Sequence, residues 1–284
     1  MITLQDLSEK TNAITLQNVG LTGRGVKVAI LDSGIDSRHE IFKDVNIKNF
    51  QIADGDIFDG NSHGTHVASI LISLSPGVEI YNIKILDDNG NTDVNTIIKG
   101  IQLAISEKVD IINLSVGELR SDCPSEHPLC IICKKAIDEG IMVVCASGNS
   151  GREKLHIPAS CPQTIAVGST NYRGKVNKFS GRGDVCGYKY PDCVSYGDDI
   201  LGAFPNNQMG ILGGTSQATP QVSSMLALTM EGLGIRNFNR EEVEEFLSQS
   251  CKWIESIEKN SISGWGIIDM SKFYRAAELK YNNF

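Results

Sequence analysis

Four polar residues of this chain have the types that peptide-bond chemistry by a serine hydroxyl requires: Asp32, His63, Asn149 and Ser216. A serine hydroxyl becomes a nucleophile when a histidine takes its proton, and an acidic residue holds that histidine in the required tautomer. An asparagine amide can donate a hydrogen bond to the oxyanion that forms at the attacked carbonyl. These residues therefore predict an acyl-transfer site, provided that the fold brings them together.

Ser216 lies in GGTSQATP (213–220), a glycine-rich turn followed by a segment typical of a helix start. Two interpretations are open for it: an N-cap of the helix, or a nucleophile displayed at the end of a tight turn. His63 and His66 also have two interpretations. Their spacing allows a metal pair, but the HExxH pattern is absent, and a structural role in the helix is favoured for His66.

The elements that must position these residues are strands alternating with helices. Short β-branched runs predict buried strands at 26–32, 79–86, 110–116, 141–147 and 163–169. Helical spacing of apolar residues predicts helices at 61–74, 92–109 (with Thr92 as N-cap), 133–140, 216–234 and 240–250. This alternation predicts an α/β fold with a mainly parallel central sheet and helices on both faces, in a single domain over residues 1–284.

The same pattern explains how distant residues could converge. Ligands of open α/β sheets bind at the carboxyl ends of the strands. Asp32 ends one predicted strand, Asn149 closely follows another, and His63 begins a predicted helix.

Composition limits the classes of partner. The 284-residue chain has a net charge of −8 and a pI of about 5.2, which argues against electrostatic binding of nucleic acid. No stretch has the roughly 18 apolar residues of a membrane-spanning helix. The N-terminus lacks the basic and apolar regions of a signal peptide, so a cytoplasmic location is expected. The oligomeric state stays open.

Eight cysteines leave several alternatives open. Most are expected to be free thiols in a cytosolic protein, and Cys145 has the setting of a buried apolar residue. Cys123, Cys130 and Cys133 could bind zinc with His127 as the fourth ligand. Cys186 and Cys193 flank GYKYPD, a possible hairpin, and could form a disulfide across it.

The segments VAILDSGID (28–36), HGTHVAS (63–69), ASGNSG (146–151) and GTSQATP (214–220) together resemble the subtilisin-like serine proteases, the subtilases. The resemblance covers nearly the whole chain and implies that family's three-layer α/β sandwich. It also implies the roles: Ser216 as nucleophile, His63 as general base and acid, Asp32 as the residue that orients His63, and Asn149 with the Ser216 backbone N–H as oxyanion donors.

The resemblance extends to substrate binding. The segment LSVG, comprising Leu114, Ser115, Val116 and Gly117, is similar to the family's strand that pairs with the substrate backbone. Gly213 and Gly214 would let the substrate approach Ser216. His156 stands at a position resembling the floor of the pocket for P1, the residue before the cut. Its imidazole would favour a polar or acidic P1 side chain, unless the ring packs sideways. The resemblance also implies a cis Ile157–Pro158 bond.

Three departures from the family pattern stand out. Only 31 residues precede Asp32, which leaves no room for an inhibitory pro-segment. The connection SLSPGV (73–78) is too short for the usual calcium loop, so no cofactor is expected; the acidic segment DGDIFDG (54–60) is interpreted as a solvated loop or a weak ion site. Gln217 and Gln221 replace a Met and a His that are common in the family; Gln217 could alter the leaving-group side.

The leading prediction is a serine endopeptidase that acts on a peptide or protein substrate and processes a specific precursor. LHIPAS (155–160) and DILGAFPN (199–206) are also similar to subtilases that trim or cyclise ribosomal peptides. A transpeptidase or macrocyclase on the same scaffold, and a peptide-binding pseudoprotease, are the alternatives.

Overall fold

The computed structural model describes residues 1–120, 126–152, 155–185, 187–254 and 256–282. Within these residues the strands are β1 (Lys27–Asp32), β2 (Ile47–Gln51), β3 (Glu79–Lys84), β4 (Ile111–Leu114), β5 (Glu118–Arg120), β6 (Met142–Ala146), β7 (Leu155–Ile157), β8 (Ile165–Thr170), β9 (Gly183–Val185), β10 (Tyr188–Tyr190), β11 (Cys193–Tyr196), β12 (Ile200–Phe204) and β13 (Gln208–Leu212). The helices are α1 (Leu4–Lys10), α2 (Ala13–Gln17), α3 (His63–Leu74), α4 (Val94–Ser106), α5 (Pro128–Asp138), α6 (Thr215–Leu233), α7 (Arg240–Ser250) and α8 (Met270–Tyr281).

Seven strands form one parallel sheet in the order β11–β8–β6–β4–β1–β3–β2. The sheet has a hydrophobic core on each face, as β1 illustrates. Val28 and Ile30 belong to one cluster of buried residues, whereas Ala29 and Leu31 belong to the other. This arrangement confirms the predicted α/β sandwich with a parallel central sheet.

Helix α6 lies deep in the molecule, because its first 16 residues, from Thr215 to Met230, are all buried. It packs against α3, α8 and strands of the central sheet. A helix enclosed in this way is apolar or small around its whole circumference, as the sequence of this segment indicates. Its N-terminus is therefore fixed firmly, which matters for Ser216.

Several element boundaries differ from the sequence predictions. Helix α4 is capped by Asp93 rather than Thr92, because the Asp93 carboxylate accepts hydrogen bonds from the N–H groups of Asn95 and Thr96. Helix α5 begins at Pro128, with the His127 side chain as its N-cap. The predicted hairpin at 187–192 is displaced: β10 pairs with β9, which precedes that segment, and Cys193 starts β11 of the main sheet.

Other elements were not predicted. The strands β2 and β11 form the two edges of the main sheet, and β12 pairs with β13 in an antiparallel hairpin. The peptide bonds Ile157–Pro158 and Tyr190–Pro191 are cis, and the first of these was expected from the resemblance. In the described part of the chain, every helix is too short or too polar to cross a membrane.

Candidate active site

The parallel sheet brings the candidate residues to one edge. Strand β1 pairs with β4, and β4 pairs with β6, so the carboxyl ends of these strands are neighbours. Asp32 is the last residue of β1, Ser115 follows β4, and Asn149 lies in the loop after β6. The parallel strands thus bring segments that are far apart in sequence together at the carboxyl-end edge of the sheet.

Asp32 and His63 are hydrogen-bonded. The Asp32 carboxylate is fully buried, and its Oδ1 lies 2.7 Å from Nδ1 of His63, the first residue of α3. Oδ1 also accepts the backbone N–H of Ser33 at 2.7 Å. Since a carboxylate can only accept, His63 Nδ1 carries the proton and Nε2 is the nitrogen left to accept a proton from a substrate or nucleophile.

A second carboxylate, Asp59, holds the start of α3 in place. Its Oδ2 accepts from the backbone N–H and the hydroxyl of Thr65, and its Oδ1 accepts from the Ser33 hydroxyl and from the backbone N–H of Ser62. The Ser33 hydroxyl in turn accepts the N–H of Gly64. Asp59 is 5% exposed, although residues 54–56 and 60 of the same segment are exposed, so the solvated loop that the sequence suggested holds one buried carboxylate.

The pKa of His63 reflects both carboxylates. Burial alone would lower it, but the charge of Asp32, its hydrogen bond and the charge of Asp59 together raise the pKa above the ordinary value of 6.5. The same two carboxylates stabilise His63 after it has taken a proton from a hydroxyl. The site therefore favours the imidazolium that forms when His63 acts as a base.

Ser216 is the second residue of α6, and Gly214 is the N-cap. The N-cap interpretation of Ser216 is thus wrong. The Ser216 hydroxyl donates to the carbonyl oxygen of Ser115 at 3.2 Å, and the Ser115 hydroxyl donates to the Ser216 carbonyl at 3.3 Å. The second bond has a clear cause: Pro220, four residues later, lacks the N–H that would bond this carbonyl in a regular helix.

The Asn149 amide is oriented by Thr215. Asn149 Oδ1 accepts from the Thr215 backbone N–H at 3.0 Å and from its hydroxyl at 3.1 Å. The amide nitrogen Nδ2 is therefore the group that can donate elsewhere. A Cβ at Gly214 would lie 3.0 Å from this nitrogen, which explains the glycine at the turn before Ser216.

A pocket of about 330 Å³ adjoins Ser216. The predicted substrate-binding residues Ser115, Val116, Gly117 and His156 line it, together with Asn149 and the glycine-rich loop after β6. Two predicted residues do not line it. Leu114 is fully buried in the core because it is still part of β4, and Gly214 packs against Asn149 instead.

The His156 ring lies directly on Gly148, since a Cβ on that glycine would stand 1.7 Å from His156 Cδ2. Its Nδ1 is 3.4 Å from the Gly117 carbonyl oxygen, and its Nε2 is 3.3 Å from the Ser150 hydroxyl. Burial lowers the pKa of His156, although the hydrogen bond to Gly117 opposes this. The imidazole is accordingly neutral near pH 7, with its proton on Nδ1.

Two of the other polar residues named from the sequence, His66 and Gln221, have structural partners, whereas the side-chain amide nitrogen of Gln217 is buried without one. His66 is fully buried, its Nε2 lies 3.0 Å from the Ile200 carbonyl oxygen, and burial lowers its pKa to about 4. Gln221 accepts from the Ser195 hydroxyl at 2.6 Å and donates to the Gln217 carbonyl at 2.9 Å. Gln217 is 1% exposed, beside the candidate nucleophile.

The cysteines differ from expectation. Cys130 and Cys161 form a disulfide, which the sequence did not indicate, whereas Cys133, Cys145, Cys193 and Cys251 are buried free thiols. The bridge makes the zinc proposal wrong for Cys130, and the free thiol of Cys193 makes the proposed disulfide with Cys186 wrong. Cys123 and Cys186 themselves lie outside the described residues. The described residues contain no group of three or more His, Cys, Asp or Glu side chains suited to a metal ion.

Comparisons with known proteins agree with the fold and with the family resemblance. The model of the subtilase family matches residues 23–266. The major intracellular serine protease of Bacillus subtilis is 37% identical over 253 residues, which cover 81% of this chain and 74% of that protein.

Two solved structures share the fold over most of the chain. A mutant of the protease domain of PatA superposes with a TM-score of 0.81 and 26% identity, covering 92% of this chain and 98% of that one. The prenylagaramide maturation protease PagA superposes with a TM-score of 0.80 and 26% identity, covering 93% of this chain and 98% of that one.

Proposed function

The chain belongs to the subtilase family and is a subtilisin-like serine endopeptidase, and we propose that Asp32, His63 and Ser216 are its catalytic triad. The observation that supports this most strongly is the 2.7 Å hydrogen bond between His63 Nδ1 and the fully buried Asp32. It leaves Nε2 as the basic nitrogen, at the edge of the sheet where Ser216 and Asn149 also lie.

The first chemical step forms an acyl-enzyme. The Ser216 hydroxyl turns from the Ser115 carbonyl toward His63, and its oxygen attacks the scissile carbonyl carbon while the proton passes to Nε2. The negative charge moves to the carbonyl oxygen. Asn149 Nδ2 donates to that oxygen together with the backbone N–H of Ser216, which lies in the first turn of α6, where N–H groups lack intrahelical partners.

Collapse of the tetrahedral intermediate breaks the carbon–nitrogen bond. His63 gives its proton to the leaving amine, and Asp32 stabilises the imidazolium until that transfer. A water then attacks the Ser216 ester with His63 again as base, and release of the new carboxyl group restores the hydroxyl. The positive end of the α6 dipole adds stabilisation of the oxyanion at both stages.

The biological role that we propose is maturation of a peptide precursor in the cytoplasm. Two comparisons support it: one relative is named an intracellular serine protease, and one structural neighbour is named a maturation protease. In this proposal the cleft selects one short sequence in its substrate rather than degrading proteins generally.

The test is mass spectrometry of a mixed peptide library after incubation with wild-type protein and with Ser216→Ala. We expect cleavage by the wild type alone, with a consistent residue before the cut. Equal cleavage by both proteins would show a contaminating protease, and cleavage by neither would contradict an endopeptidase that acts on free peptides.

Product masses decide between hydrolysis and macrocyclisation at the same acyl-enzyme. Hydrolysis adds one water to the substrate mass across the two products, whereas attack by the substrate's own amine yields a ring without added water. We expect linear products. Cyclic products from a peptide with a free N-terminus would favour the transpeptidase alternative.

A further inference from the structure

The pocket beside Ser216 has an unusual floor, because an imidazole occupies it. His156 belongs to β7, which pairs with β5, and the register places His156 opposite Leu119. Its ring reaches from this ribbon across to Gly148 on the opposite wall, the loop after β6. The ring therefore shortens the pocket and presents a polar edge to whatever enters it.

The direction of the hydrogen bonds fixes what that edge offers. The Gly117 carbonyl can only accept, so His156 Nδ1 is the donor in the 3.4 Å contact. In the neutral imidazole, Nε2 then carries a lone pair and can only accept. The Ser150 hydroxyl, 3.3 Å away, either donates to Nε2 or turns to accept from a ligand, because a hydroxyl can do both.

Charge selects further among ligands. The described residues that line the pocket include no Asp, Glu, Lys or Arg. None of these described residues could serve as a counterion for a lysine or arginine side chain, and a buried unpaired charge is costly. A carboxylate would meet the lone pair of Nε2, with the Ser150 hydroxyl as its one donor on this floor.

We propose that His156 and Ser150 make this pocket selective for an uncharged P1 side chain that donates a hydrogen bond, such as the amide of glutamine or asparagine. This inference rests on the proposed function and specifies its substrate. It narrows the expectation from sequence, in which polar and acidic side chains were treated alike. The amide N–H would bond His156 Nε2, and its carbonyl oxygen would accept from Ser150.

The experiment uses a series of internally quenched peptides that differ only at P1: Gln, Glu, Lys, Leu and Phe, at pH 7.5. The flanking residues are those of the best-cleaved sequence from the mixed library. For the wild type we expect kcat/KM for Gln to exceed that for Glu, Lys, Leu and Phe by about tenfold or more, in line with the penalty for leaving a polar group unpaired.

Two variants separate recognition from folding. His156→Ala should lose the preference for Gln over Leu and gain Leu and Phe cleavage, because the floor deepens and loses its acceptor. Ser150→Ala should lower the Gln rate several-fold without gain for Phe. Reactivity with a fluorophosphonate measures the fraction of intact sites in each preparation and allows rates to be compared per active site.

The outcomes distinguish this inference from the proposed function. A wild type that cleaves Phe or Glu peptides best, or an unchanged P1 order in His156→Ala, would overturn the P1 assignment while leaving the endopeptidase intact. Cleavage of no peptide in the library would overturn both, whereas cleavage in the library but of no peptide in the series would overturn the P1 assignment alone. A Glu-to-Gln ratio that rises as the pH falls from 7.5 toward 5 would agree with the neutral imidazole, since protonation of His156 supplies the missing donor.

Discussion

The disulfide between Cys130 and Cys161 allows a stability prediction from the structure. Cys130 lies in α5, and Cys161 lies four residues after Ile157, the end of β7, the strand that carries His156. The bridge therefore fastens the floor of the substrate pocket to a helix on the outside of the sheet. We expect its removal to destabilise the protein as a whole and this wall in particular.

The magnitude follows from the loop that the bridge closes. The two cysteines are 31 residues apart in sequence. The chain-entropy relation gives a loss of about 3.7 kcal/mol in the free energy of unfolding for a loop of this size. An unfolding entropy of about 2.1 cal/mol/K per residue, summed over 284 residues, converts that loss to a decrease in Tm of about 6 °C.

The assay is reversible urea unfolding of Ser216→Ala protein, so that self-cleavage cannot interfere, with and without a phosphine reductant. In Cys130→Ala/Cys161→Ala the response to reductant should be smaller, by about 3.7 kcal/mol, than in the protein that has both cysteines. Cys133→Ala, which alters a buried thiol on the same helix, should keep the full response. Equal free energies of unfolding for oxidised and reduced protein, within about 0.5 kcal/mol, would refute the assignment of a stabilising bridge.

Four further predictions concern the reaction. Asn149→Ala should lower kcat by about 10²–10³ with little change in KM, because it removes one oxyanion donor; a change confined to KM would contradict that role. The kcat/KM of the wild type should fall toward acid with an apparent pKa above 6.5, the ordinary value for His63, since the neutral base is lost there. Asp59→Asn should move this acid-side fall in kcat/KM to lower pH, because one negative charge near His63 is lost. Asp36 is another buried carboxylate, and Asp36→Asn should leave the fall in place. Equal shifts in both variants would refute a specific effect of Asp59. Gly64→Ala should abolish activity in a protein whose near-native fold is checked by circular dichroism, because its Cβ, in the first turn of α3, would lie 2.1 Å from the backbone oxygen of Gly34 in the loop after β1.

The parts of the fold that the sequence predicted are those with continuous buried patterns. Strand β1 is apolar on both faces because it lies between β3 and β4, and such runs are recognisable without a structure. Edge strands lack this pattern: β2 has only partly buried and exposed residues and no fully buried one, so the sequence did not predict it. The start of α4 was displaced by one residue because Thr92 and Asp93 are both good N-caps, and only the backbone decides between them.

The candidate site was predicted as a set of residues but not as a network. Asp32, His63, Asn149 and Ser216 have types that suggest their chemistry. Asp59 does not, because an acidic residue in a glycine-rich segment usually indicates a solvated loop. Its role depends on hydrogen bonds to Ser33, next to Asp32, and to Thr65 in α3, and these bonds exist only in the folded chain.

The disulfide was missed for a related reason. Cys130 and Cys161 have no distinctive spacing, and sequence alone cannot determine which cysteines pair. The turn that follows β7 brings Cys161 to α5, and this contact depends on the path of the loop after the sheet. The pocket floor was likewise predicted only in part. The sequence placed His156 there, but the orientation of its ring is set by contacts with Gly117, Gly148 and Ser150 that only the structure shows.

The central claim is that Ser216 is a nucleophile activated by His63 and Asp32, and active-site labelling tests it most directly. The folded protein is treated with a fluorophosphonate, digested and mapped by mass spectrometry, beside His63→Ala and heat-unfolded wild type. We predict one adduct, on Ser216, that forms only in the folded wild type. A folded wild type that stays unlabelled, or that is labelled at Ser216 as fast in His63→Ala, would contradict the account.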